Sequence, residues 1–151
     1  MAEIVRSVIE RFKKGEATLQ EVLDVPDDEI ESSYSVGLQL LKMEKFQTAA
    51  TVLSSLTVLN PYDVRFWRAL ALAILKTNRP KLAITICNAA LAVDEDDLPS
   101  RLYRAEAAID ANQTAIAQAD LQRVAQSEDK DPKMVPFITR ANTLLRFLAA
   151  R

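Results

Sequence analysis

The segment SYSVGLQLLKMEKFQTAATVLSSLTVLNPYDVRFW, residues 33–67, decides the fold of this chain. Apolar residues recur at spacings of three and four over ESSYSVGLQLLKME (31–44) and again over FQTAATVLSSLTVL (46–59), as amphipathic helices require. The sequence Asn-Pro-Tyr-Asp interrupts the pattern at residues 60–63. Because asparagine and proline mark turns, the segment predicts a helix, a short turn, a second helix and then a joint.

The same pattern returns twice more at a period of 34 residues without a gap. Six columns of residues stay in register: Ala49, Ala83 and Ala117; Leu53, Cys87 and Leu121; Leu56, Ala90 and Val124; Val36, Leu70 and Arg104; Gly37, Ala71 and Ala105; Leu40, Ile74 and Ala108. Because an isolated helix pair cannot bury its apolar stripe, successive pairs must stack. The chain is therefore predicted to be an all-α solenoid of three helix pairs, and the alternative is a helical bundle without repeats.

The units resemble the tetratricopeptide repeat, whose signature has an aromatic, a leucine, a small, a large and two alanine positions before a closing proline. The middle unit carries Trp67, Leu70, Ala71, Ile74, Ala83 and Ala90 at these positions. The first unit carries Val36, Gly37, Leu40, Ala49 and the closing Pro61. The third unit matches less well, since Arg104 takes the leucine position and Asp129 the proline position. We expect repeats at residues 30–63, 64–97 and 98–129.

Helical segments are also predicted at both ends of the chain, in an N-terminal extension (1–29) and a C-terminal cap (130–151). One face of the first helix is apolar and is formed by Ile4, Val5, Val8, Ile9 and Phe12. A second short helix, TLQEVLDV, ends before Pro26. These helices either cap the solenoid or form a dimer contact. The final segment VPFITRANTLLRFLAAR predicts an amphipathic helix that closes the open end of the stack.

Composition argues against several classes of function. The 151 residues are 49% hydrophobic and 26% charged, as in one ordinary soluble domain. The net charge is −2 without a clustered basic face, which argues against nucleic-acid or membrane binding. The absence of histidine and the presence of only two glycines remove histidine-dependent catalytic and metal sites and phosphate-binding loops. We therefore expect that the protein is not an enzyme and binds no metal or cofactor. Because the single cysteine, Cys87, cannot form a disulfide within the chain, we also expect a reducing compartment, the cytoplasm.

A groove is predicted on the inner face of the solenoid, which repeat geometry assigns to positions 2, 5, 9, 12 and 13 of each unit's first helix. The positions that clamp a heat-shock chaperone's C-terminal carboxylate in other repeat proteins hold unsuitable residues here, which excludes that partner. The predicted lining is an apolar trough with few charges: Tyr34, Leu38, Leu41, Arg65, Arg68, Leu72, Leu75, Pro99, Leu102, Glu106 and Ile109. Exposed apolar lining is typical of a binding surface, unless the last helix or a neighbouring chain covers it.

Residues 33–67 also resemble the class II chaperones of bacterial type III secretion systems, in which a YSxAxxxYxxGKYxxA helix pair leads into a YDxRF turn. The matching residues are Tyr34, Ser35, Lys45, Phe46, Ala49, Tyr62, Asp63, Arg65 and Phe66. The similarity extends from about Gly15 to Val124. There are departures: Glu44 stands where the family has a turn glycine, Leu41 replaces a groove tyrosine, and Arg68 replaces an apolar residue.

The resemblance implies a binding protein. Members of the family keep hydrophobic translocator proteins soluble and export-competent in the cytoplasm of Gram-negative bacteria, with a short extended client segment in the concave groove. Dimerisation through the N-terminal region is common among them. We therefore expect a translocator chaperone that forms a homodimer without its client. The alternative is a generic scaffold that assembles cytoplasmic complexes through its convex face or its N-terminal helix.

Overall fold

The computed structural model of the protein describes residues 2–150, apart from the side chains of Ala2, Ile4, Val5 and Val8. Over these residues the chain forms helices only, which confirms the all-α prediction. There are nine of them in the described range: α1 (Ala2–Lys13), α2 (Leu19–Val22), α3 (Asp27–Lys42), α4 (Phe46–Leu59), α5 (Val64–Lys76), α6 (Pro80–Val93), α7 (Leu98–Asp110), α8 (Thr114–Ala125) and α9 (Val135–Ala149).

Helices α3 to α8 form three consecutive pairs, each joined by a turn of three residues. Each pair packs on the next, since α4 contacts α5 and α6 contacts α7. The first helices of the pairs also contact one another, α3 with α5 and α5 with α7, whereas α4, α6 and α8 make no mutual contact within the described residues. The stack therefore curves with α3, α5 and α7 on its inner side, which confirms the predicted solenoid.

The repeated small residues lie where the helices of a pair approach most closely. Ala49, Ala83 and Ala117 are completely buried, and Gly37 packs directly against Leu53. Larger side chains fill the space beside them, and Phe66, Leu53 and Leu56 are the largest fully buried ones in the described part of the chain. Burial of each such side chain contributes about 1.5–3 kcal/mol to stability. Most of the 34-residue columns therefore lie in the core, but the column of Val36, Leu70 and Arg104 is buried only at Leu70, since Val36 is 53% exposed.

The turn inside each pair depends on one residue with a left-handed backbone. Glu44, Asn78 and Asn112, spaced by 34 residues, have φ angles of 58°, 56° and 58°. Asparagine tolerates this conformation, whereas a residue such as glutamate adopts it at a cost. The turn glycine of the resembled family is explained by this geometry, and Glu44 is the position where this chain departs from it.

The joint at residues 60–63 is held by hydrogen bonds within the turn and by hydrogen bonds to the start of α5. Asn60 Oδ1 accepts a hydrogen bond from the Tyr62 backbone N at 3.2 Å, and Asp63 caps α5 by accepting from the Arg65 backbone N at 3.0 Å. Trp67 Nε1 donates to the Pro61 carbonyl at 2.7 Å. The interruption in the sequence is thus an ordered connection that fixes how the first repeat meets the second.

Arg104, which stands at the leucine position of the third unit, is accommodated through polar contacts. Its Nε and Nη2 donate to the two carboxylate oxygens of Asp120 at 2.6 and 2.7 Å, and its Nη1 donates to Asn88 Oδ1 at 2.8 Å. Asp120 is only 2% exposed. The weak match of the third unit therefore reflects an ion pair in place of an apolar contact, while the helix pair itself is retained.

The helices at the two ends pack differently. The short helix α2, which begins with a capping box between Thr18 and Glu21, packs against α4. Of the helices in residues 2–150, α1 packs only on α2. Helix α9 packs on α8 and α7, in the place that the first helix of a fourth unit would take. No helix within residues 2–150 is long and apolar enough to span a membrane.

Candidate peptide-binding groove

The predicted groove residues lie on the inner helices α3, α5 and α7 and fall into two groups by exposure. Pro99 and Leu102 are buried, and Leu102, 4% exposed, belongs to the core cluster that α9 completes. These two support the inner face from beneath and contribute little surface to it. The remaining predicted residues are half-buried, with part of each side chain accessible: Tyr34, Leu38, Leu41, Arg65, Arg68, Leu72, Leu75, Glu106 and Ile109.

At the first repeat, Arg65 joins two aromatic rings and two carboxylates. Its guanidinium carbon lies 5.1 Å from the Tyr34 ring centre and 5.6 Å from that of Phe66, and the two rings are 5.4 Å apart. Nε of Arg65 donates to Asp63, Nη1 donates to Glu31, and Nη2 donates to both. Hydrogen bonds to Asp63, and to a smaller extent to Glu31, raise the pKa of Arg65, so the guanidinium stays charged and is surrounded by two carboxylates.

In the middle of the inner face, Arg68 pairs with a buried carboxylate. Its Nε donates to Asp97 Oδ2 at 3.1 Å, and its Nη2 donates to Asp97 Oδ1. Asp97 also caps α7, because Oδ2 accepts the Ser100 backbone N at 3.0 Å. This ion pair ties the second repeat to the third across the floor of the groove.

At the third repeat, α9 covers part of the inner face. Arg140 Nε donates to Glu106 Oε1 at 2.8 Å, and the rings of Tyr103 and Phe137 are 6.2 Å apart, nearly edge to face. Leu148 of α9 packs against both core clusters. A cavity of about 210 Å³ remains beneath this helix, lined by Leu75, Lys76, Glu106, Ile109, Asp110, Arg140 and Leu144. The open part of the groove therefore belongs mainly to the first two repeats.

The charges placed on this face by the predicted residues are all paired within the described part of the chain. Arg65 pairs with Glu31 and Asp63, which together leave one negative charge in excess, Arg68 pairs with Asp97, and Glu106 pairs with Arg140. What the face offers a ligand is apolar surface from Tyr34 and the leucines together with N–H and O–H donors. Such a surface suits an extended, uncharged peptide segment.

Comparison with known proteins identifies similar sequences and similar folds. Residues 37–97 match the family model described as Tetratricopeptide repeat. Low calcium response locus protein H of Yersinia pseudotuberculosis (serotype I, strain IP32953) is 24% identical over 137 residues, which are 91% of this chain and 82% of that protein. A T3SS complex from Aeromonas hydrophila superposes with a TM-score of 0.86 at 22% identity, covering 94% of this chain and 95% of the other. The chain has the fold of the type III secretion chaperones.

A second chaperone structure contains a bound peptide. The type III secretion chaperone SycD of Yersinia enterocolitica, in complex with a peptide of the translocator YopD, superposes with a TM-score of 0.76 at 22% identity over 83% of this chain and 96% of that chain. The resemblance of residues 33–67 to this group is thereby confirmed at the level of structure.

Within this chaperone fold, three acidic partners of the groove arginines were not among the predicted groove residues: Glu31, Asp63 and Asp97. Asp63 was identified only as part of the turn before α5. Glu31 could have been found, because it occupies position 2 of the first unit, 34 residues before Arg65. Asp97 gave no such signal, since it lies at the end of an acidic run, just before α7, and pairs with Arg68, 29 residues earlier at the start of the same unit.

The N-terminal apolar face is only partly described. Ile9 and Phe12 of α1 are 38% and 45% exposed, whereas the side chains of Ile4, Val5 and Val8 lie outside the described residues. Among the described residues, α1 packs on α2 and on none of the repeat helices, and Ile9 and Phe12 are exposed, so these two apolar side chains are accessible to a partner.

Proposed function

We propose that the protein is a cytoplasmic chaperone of type III secretion, which holds a hydrophobic translocator protein soluble through a short extended segment bound in the groove. The observation that carries this proposal is the open inner face of α3 and α5, where Tyr34, Leu38, Leu41 and Leu72 remain accessible beside charges that are already paired. The SycD complex with a YopD peptide and the sequence relative support the same function.

The energetics of this groove suit a holding function. Each apolar anchor that the client buries contributes about 1.5–3 kcal/mol, and ordering an extended segment costs about 2–5 kcal/mol or more. Three or four filled sites therefore leave moderate affinity, which retains the client and still permits its release to the export apparatus. Neither step requires hydrolysis of a nucleotide by this chain, so a binding function without catalysis is sufficient.

Co-expression with a translocator from the same genome tests the proposal. We expect the wild-type protein to keep the translocator in the soluble fraction and to copurify with it. Leu72→Asp places a charge on the inner face and should reduce capture at least tenfold, since a desolvated, unpaired carboxylate opposes apolar burial. Val58→Asp is the matched control, because Val58 lies on the outer helix α4 and is 64% exposed. Capture that is lost with both variants, or with neither, contradicts the proposal.

A second candidate function is assembly through α1. The observation that favours it is that, within the described part of the chain, α1 packs on α2 and on no other helix and leaves Ile9 and Phe12 exposed. We propose that the face formed by Ile4, Val5, Val8, Ile9 and Phe12 contacts a second copy of the chain when no client is bound. Phe12→Asp should convert a dimer to a monomer in sedimentation equilibrium while client capture persists. If Phe12→Asp abolishes client capture and Leu72→Asp does not, the scaffold function replaces the chaperone function.

A further inference from the structure

The guanidinium group of Arg68 has two edges that can donate hydrogen bonds: the edge of Nε and Nη2 is bound to Asp97, and the edge that includes Nη1 is free in the described part of the chain. Its Nε and Nη2 donate to the two oxygens of Asp97, whose side chain is 3% exposed. Its Nη1 has no hydrogen-bond partner among the residues that the structure describes. The Arg68 side chain is 33% exposed and lies on the inner helix α5, so the free edge is accessible to a ligand in the groove.

The Asp97 carboxylate determines which chemistry can use that edge. A buried carboxylate requires a compensating charge, and Arg68 supplies it. Burial lowers the pKa of Arg68, but the hydrogen bonds and charge of Asp97 raise it by more, so the guanidinium stays charged. A second anion at Nη1 would compete with Asp97 for one positive charge. A neutral acceptor, by contrast, can accept hydrogen bonds from the free N–H groups of Arg68 and leaves the ion pair with Asp97 intact.

Two tyrosines on neighbouring inner helices extend this line of donors. Burial raises the pKa of Tyr34 on α3 and that of Tyr103 on α7, the latter to about 12, while the charge of Arg68 lowers both. Neither hydroxyl has a hydrogen-bond partner within residues 2–150. Both remain protonated donors at neutral pH. The Tyr34 hydroxyl on α3 and the free edge of Arg68 on α5 thus supply donors in the open part of the groove, whereas Tyr103 on α7 lies against Phe137 where α9 covers the inner face.

An extended segment needs such donors in a helical groove. Helices satisfy their own backbone groups, so this inner face offers no strand edge with which a client backbone could pair. Client carbonyls that enter the apolar trough would otherwise lose their water without replacement. We propose that the free edge of Arg68 binds a main-chain carbonyl of the client segment and so fixes the position of that segment in the groove, an inference that rests on the proposed function.

The test replaces single amides of the client by esters, because an ester carbonyl is a weaker acceptor. The probe is the translocator segment that resists proteolysis in the wild-type complex, synthesised with one ester at each position in turn. We expect one position at which the ester weakens binding by about 3- to 10-fold, the usual range for one hydrogen bond. In Arg68→Lys, which keeps the charge beside Asp97 but removes the second edge, the same ester should have no effect.

Arg123→Lys is the matched control, since Arg123 lies on the outer helix α8 and pairs with Asp96 outside the groove. It should leave the ester profile unchanged. If Arg68→Lys does not fold, as judged by thermal unfolding, Arg68→Met combined with Asp97→Asn removes the pair and should likewise lose the ester effect.

The outcomes separate the two proposals. A segment that binds the wild type, but has no ester position whose effect depends on Arg68, overturns the inference and leaves the chaperone function standing. Loss of binding only when a client carboxylate is amidated assigns Arg68 to anion recognition, which also overturns it. A wild-type protein that binds no translocator segment overturns both.

Discussion

Gly37 and Leu53 leave no room for a side chain between the two helices of the first repeat. A Cβ on Gly37 would lie 2.7 Å from Cδ2 and 3.0 Å from Cγ of Leu53, which is completely buried. Gly37→Ala gains about 1 kcal/mol of helix propensity, but overpacking costs about 1–3 kcal/mol. We expect a net loss of about 1 kcal/mol in the free energy of unfolding, measured by urea denaturation.

The other repeats provide the control for Gly37→Ala. The middle repeat has Ala71 and Cys87 at the equivalent positions, so Gly37→Ala combined with Leu53→Cys reproduces a native pairing. In a double-mutant cycle the two changes should cost less together than the sum of their separate effects. If the destabilising effects of Gly37→Ala and Leu53→Cys are additive, the Leu53 side chain is not the group that excludes a Cβ at position 37.

Much of this architecture could be predicted from the sequence because the repeat fixes it locally. The 34-residue columns identify the small residues at helix contacts, and repeat geometry identifies α3, α5 and α7 as inner helices. The exposure of single groove residues could not be predicted, since it depends on how α9 crosses the third repeat. The pairing of Arg68 with Asp97 was equally inaccessible, because it joins residues 29 apart through side-chain conformation.

Glu44 should be replaceable with a gain in stability. It holds a left-handed backbone, with φ of 58°, where the two later repeats have asparagine. For a residue with a Cβ this conformation costs roughly 1–2 kcal/mol, which asparagine reduces by local hydrogen bonding. We expect Glu44→Asn to stabilise the protein by about 0.5 kcal/mol and Glu44→Gly by up to about 1 kcal/mol, each kcal/mol raising Tm by about 2–4 °C.

The reverse substitution serves as the control for Glu44. Asn78→Glu introduces in the second repeat the residue that the first repeat already carries, and it should lower Tm by a similar amount. An unchanged Tm in both Glu44→Asn and Asn78→Glu would show that the left-handed turn residue contributes little to stability.

Asp120 should be among the most sensitive acidic positions for stability. It is buried and accepts hydrogen bonds from Arg104, with Arg101 Nη1 at 3.4 Å. Asp120→Asn leaves two arginines that are about one-fifth exposed without their counter-charge. Removing one partner of a fully buried pair costs about 3–5 kcal/mol, and partial exposure reduces this to about 2 kcal/mol. Urea denaturation of the variant measures the loss.

The matched control for Asp120 is Asp96, which pairs with Arg123 while both side chains are more than half exposed. Asp96→Asn should change stability by less than about 0.5 kcal/mol. Asp120→Leu combined with Arg104→Met should recover part of the loss, because the new apolar pair needs no counter-charge while Arg101 keeps only its hydrogen bonds to the Glu95 carbonyl. Equal effects of Asp120→Asn and Asp96→Asn would contradict the assigned importance of burial.

Cys87 should make the folded state sensitive to alkaline pH. The thiol is completely buried, and this burial raises its pKa from 9.0 to about 12. Because the folded pKa lies above the unfolded one, the stabilisation is fully present below about pH 9 and is lost as pH rises towards 12. One such group changes the free energy of unfolding by at most about 1.4 kcal/mol per pH unit. We expect urea denaturation at pH 8, 9 and 10 to show this loss begin above pH 9.

Cys87→Ala separates this effect from other titrations. The variant is less stable at every pH because it leaves a small cavity, so the slopes with pH are compared and not the absolute values. Between pH 9 and 10 the wild type should lose up to about 1 kcal/mol more than Cys87→Ala. The pKa of Tyr103 is also raised by burial, to about 12 from 10.0, but this group is present in both proteins and cancels in the difference. If the wild type and Cys87→Ala have parallel pH dependences, the thiol ionises as readily in the folded protein as in the unfolded chain. That result would contradict a pKa raised by burial.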